Sequence, residues 1–325
     1  MHFTKNTIKH PSLWEGLVRL LILSFVFVSC TNKTAETAEL ENPFTYPLEI
    51  ENYTFSDSSR YANISIKVAL PVAKDSVSQV IRDSLVNIIG NSIRSYQGSQ
   101  MEDTKPLIAK YNGDEKDAKS VFDYYSKEVS KMLNSQAKED YDEKIKYWEE
   151  DTTLTEEQRK EYKESVAPWD YSMEVTKTSE DSTYVVFYDS EYSYIGGAHG
   201  GVFGFGGITF RFSDGSIVKD FLKDNAVKDM QPLLKKGLKE YFNENADEKI
   251  TTDQQLMEQL MLPEESKGLI PLPAWTPSPD EKGKGLVFTY QQYEIACYAV
   301  GMPSFVLTWE ELKPFLREDI LEDLK

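Results

Sequence analysis

The sequence predicts an α+β fold of two modules, each an antiparallel sheet with packed helices. Apolar residues alternate at two-residue spacing in several short segments, which indicates strands, and recur at three- and four-residue spacing in others, which indicates helices. The 325 residues are enough for two hydrophobic cores. We therefore expect a leader at residues 1–29, a tether at 30–44, an N-terminal α+β domain at 45–185 and a C-terminal α+β domain at 186–325.

The leader has the three parts of a lipoprotein signal peptide. Its basic residues are Lys5, Lys9 and Arg19. An apolar run covers residues 20–28, and the small residue Ser29 precedes Cys30, which places a cleavage site between them. The run is shorter than the roughly 20 apolar residues of a membrane-spanning helix. Acyl chains on Cys30 are therefore the expected membrane attachment.

The residues after this cysteine bear on location. Thr31 stands where an aspartate often retains lipoproteins at an inner membrane. We therefore expect an outer-membrane anchor, and whether the protein faces the periplasm or the outside stays open. Residues 31–44 are polar and almost free of bulky apolar side chains, which predicts a flexible tether.

The N-terminal module begins with a predicted strand and helix. Alternation over residues 61–72 predicts a half-buried strand. Apolar residues at helical spacing over residues 77–96 predict a helix, with Asp75 or Ser76 as its cap. Residues 113–165 are dominated by Lys, Glu, Asp and Tyr, which predicts long surface helices with local ion pairs.

The second half of the chain changes from helices to strands. Thr155 and Gln158 form a capping box that starts a last short helix before the change. The predicted strands cover residues 171–176, 183–194, 202–212, 286–290 and 293–307, and the predicted helices cover 230–242, 254–261, 310–316 and 317–325. Asp214 and Gly215 between apolar segments indicate a hairpin turn. Residues 263–284 are rich in turn formers.

The charge balance excludes nucleic acid as a partner. The formal net charge is −18 at pH 7, and removal of the leader, with its three basic residues and one acidic residue, makes it about −20. Nucleic acid binding depends on clustered Lys and Arg, whereas an acidic surface attracts a basic ligand or a divalent cation. We expect no cofactor and assign no metal site.

The chain has two cysteines. If Cys30 carries lipid, Cys297 has no partner for an internal disulfide. Cys297 lies in the apolar run at residues 295–300, which predicts a buried and inert thiol.

A glycine-rich motif joins two predicted strands at residues 192–201, Tyr-Ser-Tyr-Ile-Gly-Gly-Ala-His-Gly-Gly. Its histidine is the one that remains after loss of the leader. The glycines permit positive φ angles and a close backbone approach to another surface, and the histidine titrates near neutral pH. The candidate ligand-binding residues are Tyr192, Tyr194, Gly196, Gly197, Ala198, His199 and Gly200. The alternative is a tight strand connection that His199 locks by a hydrogen bond to a carbonyl.

A tyrosine stripe precedes this motif. Tyr184, Tyr188, Tyr192 and Tyr194 share one face of the predicted strand because their spacing is even. An exposed stripe would stack on sugar rings or anchor a protein partner. A buried stripe would be an ordinary packed sheet face, and both interpretations stay open.

Two segments together resemble a known family. The motif at residues 192–201 and the run Tyr-Gln-Gln-Tyr-Glu-Ile-Ala-Cys-Tyr-Ala-Val-Gly at residues 290–301 resemble the extracellular domain family of RsiV-type anti-sigma factors. Members carry a Tyr-x-Gly-Gly-Ala-His motif and a late Tyr-Glu-Ile-Ala-Pro-Tyr motif. Residues 61–98 are similar to the domain found before the catalytic part of certain peptidoglycan deacetylases. Cys297 departs from the pattern, because the family has proline there.

The resemblance implies extracytoplasmic recognition. RsiV-type ectodomains recognise lysozyme, so the implied partner is lysozyme, another cell-wall-active protein or a peptidoglycan-type glycan. Sigma-factor control is not implied, because 19 residues and a cleavable apolar run stand where the family has a sigma-binding segment and a membrane span. A deacetylase catalytic part is not implied either, since one histidine is too few for its metal site.

We expect a protein that is not an enzyme. The sequence has no nucleophile elbow, phosphate-binding glycine loop or zinc-binding histidine pair. Two alternatives stay open: a hydrolase of cell-wall glycan with His199 as general base, and a structural envelope protein without a soluble ligand. Two carboxylates that meet only in space cannot be recognised in a sequence.

Overall fold

The first sheet contains five strands that are neighbours in chain order. The structure is a computed structural model, and it describes residues 47–98, 105–196, 201–244, 246–278 and 285–325. The strands are β1 Ile50–Ser58, β2 Ala62–Pro71, β3 Trp169–Glu180, β4 Tyr184–Tyr194 and β5 Val202–Arg211. β2 and β3 are parallel and the other neighbours are antiparallel. The α+β class is confirmed, but the prediction of an antiparallel first sheet is wrong at this pair. Parallel strands need a long crossover, and the helical segment between residues 72 and 168 provides it.

Three helices make up this crossover: α1 Ser76–Ser95, α2 Ala118–Glu150 and α3 Glu156–Ser165. Both predicted caps are confirmed, because Asp75 accepts a hydrogen bond from the Ser78 amide at 2.8 Å and Thr155 forms a capping box with Gln158. The predicted surface position is wrong for the first half of α2. Its apolar stripe, with Val129 fully buried, packs into the core of the first sheet.

The second module has a three-stranded antiparallel sheet of β6 Ala274–Pro277, β7 Gly285–Thr289 and β8 Ser304–Thr308. Its helices are α4 Ala226–Asp229, α5 Gln231–Asn243, α6 Asp253–Gln259, α7 Trp309–Leu312 and α8 Glu318–Asp323, with single 3-10 turns at Glu264–Ser266 and Tyr298–Val300. Helix α5 packs closely on β8, since a Cβ at Gly237 would lie 2.2 Å from the Phe305 ring.

Strand β4 contributes to both hydrophobic cores. The first core includes Phe187 and extends to Phe212. The second core includes Tyr184 of β4 and buried apolar residues that lie between positions 218 and 320. The domain boundary expected between residues 185 and 186 falls inside β4, and the span Phe44–Lys325 forms one compact unit.

The predicted strand at residues 293–307 is wrong over most of its length. Only Ser304–Thr308 is a strand. Upstream, Tyr293 has φ of 65° and Gly301 has φ of 79°, in a left-handed region that a strand does not use. The Gln291 amide donates to a Glu294 carboxylate oxygen at 2.7 Å, which closes a turn. The segment therefore leaves the sheet and returns to it at β8.

Two strands have no counterpart in the sequence analysis. In β1 the apolar residues Ile50, Tyr53 and Phe55 do not keep a regular two-residue spacing. Strand β6 is four residues long and lies in the segment rich in turn formers. Within the described ranges, no helix combines the length and apolar character needed to cross a membrane. The predicted signal peptide, Cys30 and the tether lie outside those ranges.

Candidate functional site

The two motifs behind the family resemblance meet at the start of β5. Side chains of the later motif bind backbone groups of this strand and of Gly201, the residue before it. The Phe203 amide donates to Gln292 Oε1 at 3.2 Å, Gln291 Nε2 donates to the Phe205 carbonyl at 3.2 Å, and the Tyr298 hydroxyl donates to the Gly201 carbonyl at 3.3 Å. The residues around 290–301 are thus fixed beside the end of the glycine-rich motif.

Aromatic rings surround this contact. We call Tyr192, Phe203, Tyr293 and Tyr298 the aromatic junction. The Tyr192 and Phe203 centroids are 5.5 Å apart, and those of Tyr293 and Tyr298 are 5.6 Å apart. Phe203 is 40% exposed and Tyr293 54%. Clustered aromatic side chains that are open to solvent and held on a fixed backbone are typical anchors for a partner.

The described part of the glycine-rich motif shows why glycine is required at two positions. Gly196 has φ of 87°, and a Cβ there would lie 3.3 Å from Lys144 Nζ on α2. A Cβ at Gly201 would lie 2.2 Å from the Tyr192 ring. Gly196 therefore needs the left-handed conformation, and Gly201 leaves room for the aromatic junction.

The other predicted site residues divide between described and undescribed positions. Tyr192 and Tyr194 are half-buried on β4. Gly197, Ala198, His199 and Gly200 lie outside the described residues, so their predicted role in ligand binding stays a prediction.

The tyrosine stripe is neither a wholly open platform nor a wholly buried face. Tyr184 is buried and donates a hydrogen bond to Asp323 at 2.8 Å. Tyr188 is half-buried and stacks on Phe205, with centroids 5.8 Å apart. The stripe is therefore buried at Tyr184 and half-buried from Tyr188 onward, and Tyr192 belongs to the aromatic junction.

The opposite face of the same strands carries two carboxyl groups. Asp189 pairs across the ladder with Gly206, and Glu191 pairs with Gly204. Because glycine has no side chain, β5 places no side chain beside either carboxyl group. Among the described residues, no atom lies within 4 Å of a Cβ built at Gly204. We call this part of the sheet face, formed by Asp189, Glu191, Gly204 and Gly206, the carboxyl trough.

Two tyrosines line the trough on the side away from β5. The Tyr96 ring packs on the Tyr171 ring with centroids 4.6 Å apart, and the Tyr96 hydroxyl hydrogen-bonds the Ser193 hydroxyl. Tyr171 is 2% exposed. Its buried hydroxyl makes only a weak hydrogen bond, to Glu191, and the buried Asp189 Oδ1 has no hydrogen-bond partner among the described residues. Unpartnered buried polar atoms are costly.

The trough changes the acidity of both carboxyl groups. Burial raises the pKa of Asp189 to about 7. Burial, followed by the nearby charge of Asp189, raises the pKa of Glu191 to about 8, while the Tyr171 hydroxyl acts in the opposite direction. No ion pair connects a described Lys or Arg to either group. These carboxyls can exchange protons near neutral pH and can accept hydrogen bonds from a cationic donor.

A third carboxyl group with a raised pKa, that of Glu294, supports the aromatic junction. Burial raises the pKa of Glu294 to about 7, opposed by the hydrogen bond from the Gln291 amide. Glu294 is half-buried and holds the turn that presents Tyr293.

Sequence reasoning missed Asp189 and Glu191. A signal for them is present in the sequence: Asp189 and Glu191 continue the two-residue spacing of the core residues Val185 and Phe187, so they face the core side of the strand. A carboxylate at a core-facing strand position is rare unless it has a function or a partner. The pairing with Gly204 and Gly206 depends on strand register, which the sequence pattern alone does not give.

The prediction of a buried Cys297 is wrong. Its side chain is free and exposed. The preceding Ile295 and Ala296 are buried, but the chain then enters the 3-10 turn at Tyr298–Val300. The turn rotates the thiol toward solvent, whereas the predicted strand would have packed it. Across the described ranges, no three or more His, Cys, Asp and Glu side chains group so that they could hold a metal ion.

Comparisons with known proteins connect two parts of the chain to families. Residues 219–310 match the family model of DUF3298, described as a protein of unknown function. Residues 119–201 match the family model of deacetylase PdaC. A search of curated proteins returns no match.

Two solved structures are similar to this chain. A crystal structure of a DUF3298 family member from Bacteroides fragilis NCTC 9343 is 18% identical with a TM-score of 0.54, and the alignment covers 86% of this chain and 98% of that one. A DUF3298 family protein from Pseudomonas aeruginosa PAO1 is 13% identical with a TM-score of 0.49, over 84% of this chain and 96% of that one. The first likeness shows a shared fold. The PdaC match includes β4, which carries the carboxyls of the trough, whereas β5 lies outside both matched segments. The later motif lies within the DUF3298 match.

Proposed function

We propose that this chain is a non-catalytic envelope lipoprotein that binds a basic cell-wall-active protein, of which lysozyme is the representative, through the aromatic junction. Acyl chains on Cys30 attach it to the outer membrane, and residues 31–44 form the tether. The carrying observation is that side chains of the later motif hydrogen-bond to two residues of β5, Phe203 and Phe205, and to Gly201, the last residue of the glycine-rich motif.

The rigidity of the aromatic junction supports a binding role. Gln291 and Gln292 bind backbone groups of β5, so the strand and the later motif hold one relative position. A surface that is ordered before binding loses less conformational entropy on association. Exposed Phe203 and Tyr293 supply large apolar contact area with few rotatable bonds.

The charge of the chain supports a basic partner. A net charge of −18 raises the rate of encounter with a cationic protein at low salt. Screening shortens this attraction to about 8 Å at physiological ionic strength. Binding to a basic protein should therefore weaken with salt, whereas binding to a neutral glycan should stay nearly constant.

The test is a calorimetric titration of the detergent-solubilised full chain with lysozyme at low and moderate salt. Phe203→Ala and Tyr293→Ala should each weaken binding about tenfold, the order of a modest aromatic anchor. Tyr147→Ala is the matched control, because Tyr147 is 68% exposed on α2 and makes no ring contact with the four residues of the junction. Tyr194→Ala and His199→Ala test whether the predicted loop also takes part.

Two outcomes would reject this proposal. The first is the absence of binding heat at either salt concentration. The second is an equal loss of affinity in Tyr147→Ala, which would indicate a nonspecific surface effect. Saturable, salt-independent binding of soluble peptidoglycan fragments would assign the aromatic junction to a glycan instead.

Lipid attachment has its own test. Labelled palmitate should be incorporated into the wild-type chain and lost in Cys30→Ser. Cys297→Ser is the matched control, since it removes the other cysteine of the chain and should leave labelling unchanged. Labelling that persists in Cys30→Ser would reject the lipoprotein assignment.

A further inference from the structure

The carboxyl trough holds two acidic groups that lack compensation by a described cation. Buried carboxylates normally have a cationic or hydrogen-bonding partner, because removing a charge from water is costly. Yet burial is the dominant influence on both Asp189 and Glu191, and no described Lys or Arg is among the groups that shift them. The fold thus keeps two acidic groups without a described counter-cation on the core-facing side of the first sheet.

A second observation points to a missing ligand. Tyr171 is 2% exposed, and its hydroxyl is close enough to Glu191 to affect that carboxyl. A weak hydrogen bond to Glu191 is the only one that the hydroxyl makes to a described polar group, and the buried Asp189 Oδ1 has no partner among the described residues. Asp189 Oδ1 is therefore the unsatisfied acceptor that an entering donor would bind, with the Glu191 carboxyl beside it.

The trough also has an entrance. Gly204 and Gly206 on β5 stand opposite the two carboxyls, and the space above Gly204 is open among the described residues. Tyr96 and Tyr171 close the far side. A narrow group could therefore enter over the glycine backbone and reach the carboxyls from the side of β5.

We propose that the carboxyl trough binds the guanidinium or ammonium group of a basic ligand, with Asp189 and Glu191 as its counter-charges. A guanidinium has five N–H donors in a plane and forms paired hydrogen bonds with carboxylates. The site lies on the opposite sheet face from the aromatic junction, so it does not depend on the function proposed for that junction.

The titratable groups that face the trough define its pH dependence. They are Asp189 and Glu191 on β4, Tyr171 on β3 and Tyr96 after α1, while β5 contributes only glycines. His199 lies outside the described residues and has no part in this inference. A bound cation favours the ionised carboxyls, so binding releases protons and strengthens as pH rises from about 6 to about 9.

The experiment titrates the detergent-solubilised full chain with Nα-acetyl-arginine amide, and with the neutral isostere Nα-acetyl-citrulline amide as control ligand. Calorimetry in two buffers of different ionisation enthalpy measures the protons released. We expect saturable binding of the arginine compound, about one proton released per site near pH 7.5, and at least tenfold weaker binding of the citrulline compound.

Three variants assign this binding to the trough. The double variant Asp189→Asn, Glu191→Gln should weaken binding at least tenfold and abolish proton release. Gly204→Leu should block the entrance with both carboxyls intact, which covers the case in which the double variant fails to fold. Glu143→Gln, on the exposed part of α2, should change nothing.

Several results would overturn the inference. Equal binding of the citrulline compound would show a neutral hydrogen-bonding site. Calcium binding without arginine binding would show a metal site, and binding of N-acetylglucosamine oligomers alone would show a glycan site. Undiminished arginine binding in Gly204→Leu would place the cation elsewhere. None of these results would affect lysozyme binding at the aromatic junction, so the two proposals can fail separately.

Discussion

Replacement of Asp189 by asparagine should stabilise the protein at high pH and leave its stability unchanged at low pH. Asparagine has nearly the same shape as aspartate but no charge to bury. The folded structure raises the Asp189 pKa from 3.8 to about 7, and burial is the cause. The folded state therefore holds the proton more tightly than the unfolded state does. The free energy of unfolding should fall as pH rises from 3.8 to about 7 and stay low above that.

The size of this effect follows from the pKa change. One pKa unit corresponds to about 1.4 kcal/mol, so a rise of about three units gives an upper bound of about 4 kcal/mol. The Asp189 side chain is half-buried and keeps some contact with water, so we expect about half of this, near 2 kcal/mol. The variant should exceed the wild type by that amount at about pH 8, and by less than about 0.5 kcal/mol at about pH 4.

The assay is urea unfolding of both proteins at about pH 4 and about pH 8, at constant ionic strength. The urea midpoint should rise in Asp189→Asn at the higher pH only, with an unchanged slope. Glu143→Gln is the control for removing any one negative charge. The reasoning is refuted if the variant is less stable at high pH, or if its gain is the same at both pH values.

Three further changes test packing and charge. Phe187→Ala removes a fully buried ring and should lower the free energy of unfolding by about 3–5 kcal/mol, measured by urea midpoint. Gly237→Ala would place a Cβ 2.2 Å from the Phe305 ring and should cost about 1–3 kcal/mol; an unchanged thermal midpoint would contradict the packing of α5 on β8. Arg211→Met removes a guanidinium 2.7 Å from Asp323 and should destabilise by about 1 kcal/mol or more, with a smaller loss at high salt.

Local features of the fold were accessible from the sequence. The helix that begins after Asp75 was predicted because a capping residue and a helical apolar stripe stand next to each other in the chain. The helix at Gln231–Asn243 was predicted for the same reason, with Pro232 in its first turn. In both cases the determining interactions lie within a few residues.

Long-range features were not accessible in the same way. The parallel pairing of β2 with β3 joins Ile64 to Tyr171, more than a hundred residues apart, and no local pattern encodes that partner choice. The carboxyl trough likewise depends on the register that sets Glu191 opposite Gly204. The error at residues 293–303 had a different cause, because Tyr293 adopts a positive φ that its residue type does not favour.

The sharing of β4 between two cores determines how the molecule can come apart. Tyr184 packs with the second core and Phe187 with the first, and Arg211 of β5 is joined to Asp319 and Asp323 of the last helix. Loss of either core removes packing from a strand that the other core needs. The two sheets should therefore melt in a single cooperative transition, and trimming the chain by proteolysis before Asp319 should loosen even the distant first sheet.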